Sequence, residues 1–314
     1  MVGKLTDDTK LSCSQLTPFI TTNPFTTKNT VLQNCIDAMD NKYIRKEPED
    51  YSVMYWGNKM EDDILLACLH KLGIDGDIDI QEKVQHKTVP LQGSPDGIGF
   101  GNNKTIKEDK ENFIYTPEGP VKLSGKGIIE AKLTSAKPTE IPDMHRGVVQ
   151  AQGLMLCTDY DWCAIPTLYG GINLRIYLYN RDIEMQKQII SAAKTFQEKL
   201  DTYKKEKVVD WYDIENPFDG SNTYNEDEGL PPVTIHEEDI DVAKQYLQAV
   251  DDIKKAEKKK DNATAYFMSK MGNHKYAEGQ GYKITWRTNP AKKGYYVDSR
   301  PAARSKSISI KLKG

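Results

Sequence analysis

Ser94-Pro95-Asp96-Gly97 and, after a long insert, Ile128-Ile129-Glu130-Ala131-Lys132 are the segments whose reading decides the fold. The second is an apolar, strand-forming run into which a carboxylate and an ammonium are set two residues apart. Successive side chains of a strand point to opposite faces, so Glu130 and Lys132 share one face while Ile129, Ala131 and Leu133 take the other. One face is then chemical and the other is core. Charges among apolar neighbours are costly unless they are paired or bind a metal. Taken alone, the triplet reads first as a structural ion pair at a strand end. Joined by Asp96, it also reads as oxygen ligands and one ammonium that can hold a divalent cation beside a phosphate. Asp-Gly turns are common without any chemistry, so the turn by itself decides nothing.

Working outward, 84–92 reads as a strand leading into the turn, and 98–126 as a polar insert with Lys104, Lys107 and Lys110 among several acids. That insert is either an extra hairpin or a surface loop. Residues 10–50 hold helical patterns broken by Pro18 and Pro24, with Val31, Cys35 and Met39 at helical spacing. A helix is predicted over about 59–72, where Glu61, Leu65, Cys68 and Leu72 share one stripe and Asp62 and Asp63 fall elsewhere. An acid in a helix's first turn is also favoured by the macrodipole alone. Prolines in 134–143 precede a helix over about 143–157 that carries Gln150 and Gln152 in different directions; a polar helix surface explains either one. Strands follow at 162–168 and through Ile172, Leu174, Ile176 and Leu178, then a long amphipathic helix from Ile183 to Tyr203. This order gives an α/β fold with a central mixed sheet flanked by helices.

A chain of 314 residues accommodates one large domain or two smaller ones. No apolar run approaches the roughly 20 residues that span a bilayer, and residues 1–10 lack a secretory pattern. A membrane role is therefore not expected. The five cysteines, at 13, 35, 68, 157 and 163, form no close pair suited to zinc, and their odd number reads as reduced thiols in a cytoplasm. The net charge of -3 conceals an asymmetry. Residues 271–314 carry ten Lys or Arg against Glu278 and Asp298, a local +8, so the remainder carries -11. Part of that acidity lies between 213 and 241, which suggests a first domain over 1–212, an acidic linker over 213–233 and an extension over 234–314. In the extension, Thr234-Ile235-His236-Glu237 reads as a capping box that opens a helix to about 271. Its Ile240, Ala243, Leu247, Val250 and Ile253 stripe is suited to packing on the main domain or another subunit. Short strands are expected at 282–288, 295–297 and 306–312. Tyr282, Trp286, Tyr295 and Tyr296, interleaved with Lys283, Arg287, Lys292 and Lys293, form either a nucleic-acid platform or a small sheet whose aromatics merely suit strands.

Four segments, in order, carry a wider likeness: Leu11-Ser12-Cys13-Ser14; Trp56-Gly57-Asn58-Lys59-Met60-Glu61-Asp62-Asp63; the Ser-Pro-Asp-Gly and Glu-Ala-Lys pair; and Val149-Gln150-Ala151-Gln152. On them the chain resembles the metal-dependent nucleases of the PD-(D/E)-x-K signature, and within these the phage lambda exonuclease or YqaJ-type viral recombinase family, over most of 1–205. The resemblance implies a restriction-endonuclease-like core, here followed by a long C-terminal helix and a small β extension. It implies Mg²⁺, with Mn²⁺ as a substitute, held by Asp96, Glu130 and the Ala131 carbonyl, with Glu61 as a ligand in the same cluster, either to that ion or to a second one. Lys132 would orient or help deprotonate the attacking water and stabilise the pentacoordinate state; desolvation would lower its pKa, and the nearby carboxylates would oppose that. Gln150 would hydrogen-bond that water or Lys132, and Ser14 would help hold a 5′-phosphate. The family's upstream arginine has no counterpart before Ser14, where Lys10 is only a loose substitute. Relatives with an iron–sulphur cluster use cysteines downstream of the active site, and nothing here follows Cys163. The implied activity is 5′ to 3′ hydrolysis of linear duplex DNA, releasing mononucleotides and leaving 3′ single strands for recombination. The implied setting is a phage protein in the cytoplasm of a bacterial host, a ring-shaped homo-oligomer with a single-strand annealing protein as partner. Two alternatives are an endonuclease of the same fold, acting internally or at branched structures, and a non-catalytic DNA-binding recombination component dominated by the basic C-terminal region.

Overall fold

The computed structural model describes residues 6–43, 49–80, 82–223, 231, 234, 236–289, 303–304 and 309–312. The chain divides into two compact units, 1–226 and 227–314. The first comprises α1 (Lys28–Met39), α2 (Val53–Leu72), β1 (Asp75–Asp77), β2 (Gly97–Phe100), β3 (Ile114–Tyr115), β4 (Lys126–Ile129), β5 (Lys132–Thr134), α3 (Val148–Thr158), β6 (Trp162–Tyr169), β7 (Asn173–Asn180), α4 (Ile183–Glu206) and α5 (Pro217–Thr223), with shorter pieces between them. Its sheet runs β1-β2-β4-β6-β7-β3, and β5 continues the line of β4 along β6. The β1/β2, β2/β4 and β6/β7 pairs are antiparallel, whereas β4 and β5 lie parallel to β6 and β3 parallel to β7. The sheet is therefore mixed and flanked by helices.

Strand β6, Trp-Cys-Ala-Ile-Pro-Thr-Leu-Tyr, is buried at every position but Leu168, as expected of a strand covered on both faces. Ile128, Ile165, Tyr177, Phe196 and Leu200 build one core cluster, under α1, α3 and α4. Ile129, Trp162, Ala164, Ile176 and Leu178 build the other, under Leu65, Cys68, Leu69 and Leu72 of α2. Alternation along β4 thus sends Ile128 and Ile129 to opposite cores. Trp162 fits because its ring lies over glycines: a Cβ on Gly127 would stand 2.2 Å from the ring and one on Gly99 2.7 Å. Its indole N–H donates to the Ser124 carbonyl at 3.0 Å.

Several sequence expectations are corrected. Helix α2 starts at Val53, where the Ser52 hydroxyl accepts from the Tyr55 N–H at 3.1 Å. Glu61 therefore lies in mid-helix, and the macrodipole does not account for it. Residues 84–92 form no single strand but a two-residue ladder, Val84–Gln85 against Gln92–Gly93, with His86 Nδ1 accepting from the N–H groups of Thr88 and Val89. The 98–126 insert is built into the fold: β3 joins the sheet edge, Thr105–Ile106 pairs with Val121–Lys122, and Val121 and Leu123 are fully buried. The supposed linker begins later than 213, since α5 packs on α1, Asp219 is buried, and the Asn29 amide exchanges two hydrogen bonds with the Tyr212 backbone.

The second unit contains α6 (Glu237–Met271) and an antiparallel sheet of β8 (Tyr276–Gly279), β9 (Tyr282–Thr285) and β10 (Ser309–Leu312). The helix cap is His236, whose N–H donates to Asp239 at 2.9 Å, rather than a box on Thr234. Ile240, Leu247 and Ile253 of its apolar stripe are exposed. The strand expected at 295–297 lies outside the described residues. No described helix is long and apolar enough to cross a membrane.

Candidate active site

The antiparallel register that sets Gly97 opposite Ile129 places Asp96, one residue before β2, across from Glu130. The Ala131 N–H donates to Asp96 Oδ2 at 2.8 Å. A carboxylate thus stands where a backbone acceptor would continue the ladder, and β4 ends there. Register with β6 is nevertheless unbroken, with Ile129 opposite Ala164 and Lys132 opposite Thr167. Glu130 and Lys132 consequently project to the α3 face, as alternation requires.

Glu130 is buried, and its Oε1 accepts from Lys132 Nζ and from Gln150 Nε2, each at 2.5 Å. Its other oxygen, Oε2, is buried with no hydrogen-bond partner. Gln152 points away, accepting from the Asp182 N–H and donating to the Asn180 carbonyl. Glu61 comes from α2 on the opposite face and is half-buried. Its electrostatic neighbours include Asp96, Lys132 and Asp62.

The charges of the cluster are out of balance. Burial, then the charge of Asp96, pushes Glu130 up to about 8 against the pull of Lys132; two ionised carboxylates offer each other no hydrogen, so Glu130 gains Asp96 as a partner only when it is protonated. Burial and Asp96 push Glu61 up to about 7, and burial also raises Asp96. For Lys132 burial disfavours the charge, but Glu130 and Asp96 outweigh it and the pKa is raised. Of the two opposing effects named from the sequence, the carboxylates prevail over desolvation, and Lys132 is kept as an ammonium, suited to orienting and stabilising.

Gly147, which the sequence reading did not single out, shapes this cluster. It caps α3 at φ +98, and a Cβ there would stand 3.0 Å from Lys132 Cε. Only glycine meets both conditions without strain. Gly147→Ala is expected to leave a cooperative thermal transition but to reduce turnover about 10-fold or more by displacing the ammonium; unchanged turnover would remove this role. Next to it, Arg146 Nη1 donates to Thr134 Oγ1 at 2.8 Å, tying the loop before α3 to β5. A glycine immediately before an apolar helical run was the available signal for both.

Ser14 is exposed in the short 3-10 turn Cys13–Gln15, where its hydroxyl and that of Ser12 stand 3.0 Å apart. The turn packs on α3, and the Cys13 thiol senses the charge of Glu130, so this segment borders the cluster. The residues expected to bind DNA through the extension belong to the second unit. There strand alternation separates the cations from the aromatics of β9. Lys283 pairs with Glu278 at 3.0 Å and lies 4.9 Å over the Tyr276 ring, on the face opposite Tyr282 and Ile284. Arg287 is exposed and Trp286 half-buried, while Lys292 and Lys293 lie outside the described residues.

The donor set fits a hard divalent cation. Asp96, Glu130, Glu61 and the Ala131 carbonyl are all oxygen donors, and the partnerless Glu130 Oε2 marks where positive charge is lacking. Among the described residues no three acidic, His or Cys side chains close on one point. Mg²⁺ does not need three, because it keeps several waters beside one or two carboxylates.

No protein-family model matches the chain, and no curated protein does. Solved structures of similar architecture include an alkaline exonuclease, LHK-Exo, from Laribacter hongkongensis, also solved in complex with dAMP; identity is 14%, the match covers 63% of this chain and 93% of that one, and the TM-score is 0.44. A phage-related exonuclease from Haemophilus somnus 129PT matches at 14% identity, covering 63% and 96% with a TM-score of 0.43.

Proposed function

We propose that this protein is a Mg²⁺-dependent DNA exonuclease that hydrolyses linear duplex from the 5′ end and leaves 3′ single strands for recombination. The observation that carries the reading is the buried Glu130 carboxylate, which faces Asp96, is held through one oxygen by Lys132 and Gln150, and keeps the other without a partner. A purely structural ion pair would use both oxygens of a buried carboxylate.

Asp96, Glu130 and the Ala131 carbonyl would hold the ion, with Glu61 joining through water or directly. When bound, the ion makes its water more acidic and offsets charge developing on the phosphate. The chain's own groups do the rest. Lys132, kept as an ammonium, places a fixed positive charge where the pentacoordinate phosphorane gains negative charge. Gln150 fixes the Glu130 rotamer and offers an amide to the attacking water. The buried Ile165, on the same face as Glu130 and Lys132, limits solvent, and the Ser14 turn supplies hydroxyls beside the cluster for a terminal phosphate. Ring-shaped oligomers, an annealing partner and a cytoplasmic, phage-encoded setting belong to the same proposal through the family resemblance.

End-labelled linear duplex and covalently closed circles of the same sequence separate the possibilities. Label release from one end of linear DNA with Mg²⁺ or Mn²⁺, abolished by chelator, is the expected result. Equal nicking of closed circles would replace the exonuclease with an endonuclease, and no cleavage with either metal would leave only DNA binding.

A further inference from the structure

Two thiols meet beside the candidate site. Cys13, in the turn that carries Ser14, and Cys157, on the helix that carries Gln150, have sulphurs 3.9 Å apart although 144 residues separate them. Neither is in a disulfide. The Cys13 sulphur is kept in this direction by its surroundings: a Cβ on Gly93 would stand 2.9 Å from it and one on Gly153 3.1 Å. Those two glycines leave a slot that the thiol fills. Cys157 is the one cysteine of the five that is not buried. Cys68 and Cys163 are buried, and burial pushes their thiols up.

We propose that Cys13 and Cys157 form a reversible redox clasp that fastens the Ser14 turn to α3 and thereby governs how a DNA end is held. Hydrogen peroxide would oxidise the half-buried Cys157 sulphur to a sulfenic acid: the S–O bond forms, the O–O bond breaks, and the departing hydroxide leaves as water with the thiol proton. The Cys13 sulphur then attacks that sulphur; the S–S bond forms, the S–OH bond breaks, and the Cys13 proton leaves with the hydroxide as a second water. Cys157 takes the first oxidation because it is the one of the pair that is not buried, and Cys13 is the resolving partner because its sulphur stands 3.9 Å away. Closure brings the sulphurs from 3.9 Å to a bond of about 2.05 Å. The turn, the smaller and more exposed element, must give by roughly the difference. An ångström-scale shift of a positioning group is enough to cost about 100-fold in rate. Thiol exchange with a dithiol reopens the clasp.

The bond itself goes beyond the nuclease reading, while its effect on cleavage rests on that reading. The full-length protein and Cys157→Ser are exposed to hydrogen peroxide under conditions limited to one oxidising event, then assayed by intact mass, peptide mapping, thermal melting and hydrolysis of 5′-phosphorylated duplex. The expected result is a loss of two hydrogens in the parent, a peptide joining Cys13 to Cys157, and a rise in melting temperature on the order of 5 °C from closing so long a loop. Cleavage is expected to fall about 10-fold or more and to return with dithiothreitol, and Cys157→Ser should show none of these changes. Failure to find the 13–157 link, or its appearance with unchanged cleavage in a protein active when reduced, overturns the proposal. A reduced protein without any cleavage defeats the nuclease reading instead, and the mass and melting data still decide the clasp. Cys13→Ala is the second variant if Cys157→Ser does not fold.

Discussion

Lys132→Ala is expected to reduce hydrolysis of end-labelled duplex by about 10²- to 10³-fold, the range seen when a fixed donor to developing charge is removed. The ammonium touches Glu130 Oε1 at 2.5 Å and is the cation that opposes the raised pKa of Glu130, Glu61 and Asp96. Its loss removes the charge from the reaction and also lets Glu130 hold its proton to higher pH. The variant should therefore need more Mg²⁺, and at higher pH, to recover any rate. Breaking a buried pair usually costs about 3–5 kcal/mol because the surviving charge is stranded. Here the survivor can protonate, so the fold should persist, and circular dichroism and gel filtration should match the parent. Full activity in Lys132→Ala would remove this residue from the chemistry. A change in DNA affinity with no cleavage in either protein would favour the non-catalytic component.

The second large effect concerns stability without metal. Glu130 is raised to about 8 and Glu61 to about 7, both above the ordinary glutamate value near 4.3 of an unfolded chain. The folded state therefore binds more protons between those values. The stabilisation tied to the protonated groups is complete below the unfolded pKa and is lost as pH rises through about 7 to 8. At about 1.4 kcal/mol per tenfold change in proton affinity, the cluster should cost a few kcal/mol at alkaline pH. For a domain of this size that is on the order of 5–10 °C in melting temperature. In chelator, melting of the parent is expected to fall from pH 5 to pH 9, and Glu130→Gln should flatten the curve. Mg²⁺ at pH 8 should restore the parent but not the variant, because the cation replaces the missing protons on Glu130. Parallel pH curves for parent and variant would mean that Glu130 is not short of positive charge.

The stripe of Leu65, Cys68 and Leu72, the alternation through Ile128 to Lys132 and the periodicity from Ile189 to Tyr203 were all readable because burial imposes a period on any regular element. The insert was not, because its strands are only two residues long and pair with partners far along the chain. Local pattern carries no record of such pairings. The separation of Lys283 from Tyr282 was open to the same period-two argument, whereas residues 290–300 fall outside what is described.

Amino-acid order alone determined which side chains share a face: Glu130 with Lys132, Gln150 apart from Gln152, and Glu61 on the apolar stripe of its helix. Tertiary structure decided what those faces meet. Asp96 reaches Glu130 only through the antiparallel register of β2 on β4, and Glu61 comes under the charges of Asp96 and Lys132 only because α2 packs on the opposite face. Gly147 matters only because Lys132 lies against it, and Cys13 finds Cys157 across most of the first unit. The physical reason is that periodicity is a property of one element, whereas proximity between elements, and the burial and charge coupling that shift a carboxyl's pKa, exist only after the sheet has closed.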